Sequence, residues 1–152
     1  MVLQAVPDWA IFLYIQAVFI SISFWESYAD PAGWGRAMPG WRIKTPIREI
    51  TAYHFWSWLV MIPLFIMMPF FVFGWNQHVF WVILASYLIG TVIEDTLWFH
   101  LRPNFGMAKW NSQHADFHHW IKIGKFEVPE FVIIYPILAI LIWWFLIRSA
   151  GV

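Results

Sequence analysis

Glu94 and Asp95 stand side by side near the end of a long apolar run, and His100 follows them on the same run. Two carboxylates and an imidazole at the edge of a hydrophobic helix are costly unless they pair with something or bind something. A second cluster, His114-Ala115-Asp116-Phe117-His118-His119, comes after an Arg102-Pro103-Asn104-Phe105-Gly106 turn. On a helix, His114 and His118 stack at i, i+4. That spacing lets two imidazoles reach one metal ion, with His119 free to serve a second. Glu94, Asp95, His100, Glu49 and His54 complete a mixed nitrogen and oxygen donor set, which suits iron, zinc or manganese as one or two ions. Glu94 and Asp95 are also the candidates for a general base. The competing reading is structural: carboxylates paired with Arg48 or Arg102 at headgroup level, and imidazoles facing lipid phosphates.

The rest of the chain must position these groups in a membrane. Of 152 residues, 61% are hydrophobic, 22% aromatic and only 12% charged, about half the charge of an average soluble domain. Thirteen Trp and 15 Phe fit helices with aromatic belts at both interfaces. Nine Lys and Arg against nine Asp and Glu leave no net field, so nucleic acid is not an expected partner. The absence of cysteine excludes disulfides and thiolate metal sites. Four continuous apolar runs, about 8–25, 51–75, 78–100 and 129–147, are each long enough to cross a hydrocarbon core. The first lacks a basic flank and a small-residue cleavage site, so it reads as a retained span and not a signal peptide. The expected fold is therefore all-α: one transmembrane domain over 1–152, a four-helix bundle.

Pro63 and Pro69 predict a kink in the second span, and Thr45-Pro46 reads as its N-cap and first helical position. Gly and Pro crowd the first loop. Asn111 or Ser112 would cap a short interfacial helix running to about Ile121 in the third loop, with Trp110, Phe117 and Trp120 on its apolar side. Eight of the nine basic residues fall in the first and third loops. The positive-inside rule then makes those loops cytoplasmic and puts both termini outside. Glu26, Glu49, Glu94, Asp95, Glu127, Glu130 and five of the six histidines gather on that same side. A bundle this small buries little between its spans, so membrane lipids and either a homo-oligomer or a larger membrane complex are the expected partners.

The HxxxHH sequence of His114, His118 and His119, next to a cytoplasmic membrane face, resembles one histidine box of the membrane fatty acid hydroxylases and desaturases. That resemblance implies a multi-span enzyme whose cytoplasmic-side di-metal centre oxidises lipid carbon–hydrogen bonds, with those three histidines as ligands. Such families use several boxes. This chain has six histidines and one box, so Glu94, Asp95, Glu49 and His54 would stand in for the missing ligands. Separately, Glu94-Asp95-x-x-Trp98-Phe99-x-x-x-Pro103-x-Phe105-Gly106 is similar to a pattern in small uncharacterised prokaryotic membrane proteins, which implies a cell (inner or plasma) membrane location. Two functions are expected from different classes. One is a metal-dependent, oxidase- or hydroxylase-like enzyme acting on a lipid or apolar substrate at the cytoplasmic interface. The other is a non-catalytic small subunit of a larger membrane complex.

Overall fold

The computed structural model describes residues 6–30, 32–46, 49–102 and 106–148. Arg48 and the turn at 103–105 lie outside the described residues. Four helices are long and apolar enough to cross a membrane: α1 (Asp8–Ala29), α2 (Ala52–Phe73), α3 (Gln77–Leu101) and α4 (Glu130–Ile147). Each falls on one of the expected runs. The helix α3 lies at the centre and packs against both α1 and α4.

The α1–α3 contact follows from a four-residue repeat. Ser86, Gly90 and Glu94 lie on one stripe of α3. Opposite them, Gln16 Nε2 donates to the Ser86 carbonyl at 3.0 Å and Ser23 Oγ donates to the Glu94 carbonyl at 3.1 Å. Between these two bonds the fully buried ring of Phe19 lies against Gly90. Small residues that let helices approach, with polar side chains bonding across, are how spans associate where lipid is as apolar as leucine. Ile15, Ile62, Ile66, Val79 and Ile83 continue this core away from the clustered carboxylates. At that far end His78 Nε2 pairs with Asp8 at 2.9 Å.

The helix starts use side-chain caps. Asn76 Oδ1 accepts from the Val79 amide at 3.0 Å, so the turn from α2 into α3 ends in an N-cap. Thr51, and not Thr45, caps α2: its hydroxyl accepts from the His54 amide at 3.2 Å. Between Phe55 and Met61, α2 widens into a π-helix just before Pro63. Proline has no amide to donate into the ladder, and a π turn absorbs that misfit without breaking the helix.

Two short hairpins correct the all-α expectation. In the first loop, β1 (Arg42–Lys44) pairs antiparallel with β2 (Glu49–Thr51). In the third, residues 111–119 form turns and not a helix. Asn111 Oδ1 accepts the amides of Gln113 and His114 and so closes the turn locally. Then β3 (Trp120–Ile123) pairs with β4 (Phe126–Pro129) across Gly124-Lys125. Gly124 has φ +62, which a two-residue hairpin turn with Gly at its first central position requires. The Ser112 amide donates to Glu127 Oε2 at 2.8 Å, tying the hairpin to the turn. That backbone donor, helped by the Ser112 hydroxyl, holds the Glu127 carboxyl below the usual carboxylate range.

Candidate functional site

The first and third loops meet at one end of the bundle. Arg36 Nη2 binds Asp116 Oδ1 at 2.6 Å across them. Trp34, in the first loop, is stacked on Phe117 of the third with centroids 5.7 Å apart and packs at a tilt of 30° against His54 of α2 at 4.2 Å. Trp34 has φ +57, and no other non-glycine described residue has a positive φ. A bulky side chain in the left-handed region is strained, and such strain concentrates where a side chain must be aimed. Its neighbour Gly33 cannot be anything larger, because a Cβ there would lie 2.8 Å from Trp98. The indole Nε1 of Trp34 donates to the Glu49 carbonyl at 2.8 Å and so anchors it to β2.

Beneath these loops is a cavity of about 420 Å³. Its chemistry changes along its length. At the loop end its wall holds Glu26 and Asp30 at the end of α1, His54 on α2, Asp95 on α3, His118 and His119 from the third loop, and Glu130 at the start of α4. Towards the bundle's middle the wall is Leu59, Tyr87, Leu88, Ile134 and Tyr135. Leu88 and Asp95 are seven residues apart on α3, so the two ends are separated by about 10 Å of helix. Leu59 and Ile134 are 62% and 42% exposed. The apolar end therefore meets the outer, lipid-type surface at α2 and α4.

Adjacent helical residues point about 100° apart, and this divides the Glu94-Asp95 pair. Glu94, 1% exposed, faces α1, where its carboxyl abuts that of Glu26. Glu26 in turn accepts from the Tyr53 hydroxyl and from Trp58 Nε1, the latter at 3.2 Å. Asp95 faces the third loop, and its Oδ1 is 3.9 Å from His118 Nε2. The His118 side chain is only 7% exposed, held among Phe117, Phe131 and Trp120. His54 Nδ1 lies 3.0 Å from the Thr51 hydroxyl, so the residue that caps α2 also orients this imidazole.

The fold brings Asp95, His54, His118 and His119 to the cavity, while Glu94 is turned away from it onto Glu26. It does not bring in the other three expected residues. Glu49 Oε2 is bound to Arg42 at 3.2 Å. His100 is exposed, with Nδ1 3.1 Å from the Thr96 carbonyl of its own helix. His114 is exposed and turned onto Asn111 Oδ1 at 2.8 Å. Because 111–119 is a series of turns, His114 and His118 never stack at helical spacing. Among the described residues no three His, Asp or Glu side chains stand close enough together to hold a metal ion. As arranged, the residues do not fit the di-metal centre that the histidine-box resemblance implies.

Sequence reasoning missed Asp30, Trp34, Tyr53 and Trp58 and left Glu26 unassigned. Glu26 carried a signal, being a carboxylate at the end of an apolar run as Glu94 is. Trp34 had none, since its role depends on a backbone conformation. Comparison of the chain with protein-family models, with curated proteins and with solved structures finds no match.

Proposed function

We propose that this is an integral membrane enzyme that draws a lipid or other apolar substrate into the interfacial cavity and carries out acid–base chemistry on its polar end. The observation that supports this most is the gradient along the cavity, from carboxylates and imidazoles to aliphatic side chains that reach the lipid-type surface. His118 and Asp95 are the candidates for proton transfer, because an imidazole and a carboxylate together in a partly dry cavity suit general acid–base work. The reading carries no metal-dependent step, since the expected ligands do not converge. The loops are assigned to the cytoplasm because they hold eight of the nine basic residues. A single cysteine placed in the first loop should then be labelled only after the cell is opened. Labelling in intact cells would reverse the orientation.

The alternative is a non-catalytic small subunit, alone as a homo-oligomer or within a larger complex. In its favour, the spans of α2 and α4 are only 17% buried, against 39% for α3, which leaves two faces for further helices. One experiment separates the readings. The protein in lipid nanodiscs is photolabelled with a neutral diazirine lipid and the labels are mapped. Label at Leu88, in the cavity wall of α3, lost on adding excess unlabelled lipid, supports the cavity reading. Labels confined to lipid-facing positions such as Leu64 and Phe71, with the rest of α2 and α4 protected, support the subunit.

A further inference from the structure

We infer that the cavity's polar end receives an organic cation, so that its ligand is an ammonium group carried on an apolar chain. The inference rests on the cavity reading above and specifies the ligand it takes. Among the described residues, four that bear a carboxyl group, Glu26, Asp30, Asp95 and Glu130, line the cavity, and no Lys or Arg does. Most of the basic residues nearby are engaged elsewhere: Arg36 with Asp116, Arg42 with Glu49 and Lys122 with Glu127, while Arg102 lies over the Trp98 ring, close enough for its charge to act on Asp30. An anionic head such as a phosphate would meet four carboxyl groups, with only the imidazoles of His54, His118 and His119 to receive it among the described lining residues.

Asp30 adds an independent observation. It is 3% exposed and lines the cavity. Its Oδ2 accepts from the Gly35 amide, which fixes the side chain, while Oδ1 is buried with no hydrogen-bond partner among the described residues. A buried carboxylate oxygen left without a donor is costly, and the field of a cation held in the cavity lowers that cost. The carboxyl groups are spread around the wall instead of converging on a point, which suits a bulky head better than a compact metal ion. Trp34, Trp58, Trp98 and Phe117 lie in the same wall. Aromatic faces beside carboxylates are the usual surroundings of a bound ammonium group.

The test uses the photolabelled nanodiscs, with label at Leu88 as the readout. Three competitors of equal chain length are compared: an alkyltrimethylammonium, the alkanol and the alkyl sulfate. The ammonium should displace the label at about one tenth of the alkanol concentration or less, and the sulfate should be the weakest. Asp30→Asn should remove about tenfold of that preference while leaving displacement by the alkanol unchanged. If Asp30→Asn does not fold, Glu130→Gln gives the same readout from the opposite wall. Displacement by the alkanol or sulfate as effective as that by the ammonium overturns the cation and leaves the cavity reading standing. A preference untouched by both variants also overturns it. Absence of any label at Leu88 removes both readings together.

Discussion

Gly90→Ala forces α1 and α3 apart and lowers the stability of the bundle by about 2 kcal/mol. A Cβ at this position would lie 2.2, 2.6 and 2.7 Å from three ring carbons of Phe19, where carbon atoms in contact normally stand at about 3.5–4.0 Å. Phe19 cannot yield, because it is fully buried, with Trp58 at 5.9 Å and Tyr87 at 5.4 Å between ring centroids. The overlap must therefore open the helix pair by about 1 Å, and the bonds from Gln16 and Ser23 on either side stretch with it. Alanine's better helix propensity works the other way, by at most about 1 kcal/mol, and does not offset the clash. Phe19→Leu should partly rescue Gly90→Ala, so that the double variant loses less than the sum of the single ones. Thermal or chemical unfolding in bicelles measures all three. A Gly90→Ala protein as stable as wild type would mean that the helices do not meet at this point.

That contact explains what could be read in advance. The four spans follow from length and hydropathy alone, because a bilayer imposes one length and one polarity on any helix that crosses it. The α1–α3 interface was also written in the chain, as Ser86, Gly90 and Glu94 four residues apart, although a spacing does not say which helix it faces. The third loop misled because Trp110, Phe117 and Trp120 read as the apolar side of a helix. The better signal was Ile121-Lys122-Ile123-Gly124-Lys125-Phe126-Glu127-Val128: alternation on both sides of a Gly-led turn is a hairpin pattern. From that one misreading came the stacked His114–His118 pair and the metal ligands built on it. Asp95, His118, His119 and His54 were visible as candidates, since titratable residues are scarce in so apolar a chain. The cavity between them was not, because it depends on where Trp34 and Gly33 fold over the end of the bundle.

Glu94→Gln raises stability by about 1–2 kcal/mol, the largest gain expected from any single change at the site. Glu94 is among the most deeply buried polar residues, and both of its carboxyl oxygens lack a conventional donor among the described residues. The Glu26 carboxyl that it abuts can bond to it only through a shared proton. Glutamine keeps the shape and supplies a permanent N–H towards Glu26. It also removes one acid from a place where acids are costly. Glu94→Ala should instead lose about 2–3 kcal/mol, because it leaves a void between α1 and α3 and takes away the partner of Glu26. Unfolding in bicelles gives both signs. A chain that becomes more stable on losing a carboxyl group is keeping that group for something other than stability. The label at Leu88 reads out what that is. If Glu94→Gln is more stable and also loses the ammonium preference at Leu88, Glu94 acts through Glu26 on the charge of the cavity. If Glu94→Gln is instead less stable than wild type, the carboxyl pair is a structural bond between α1 and α3, and the small-subunit reading gains what the enzyme loses.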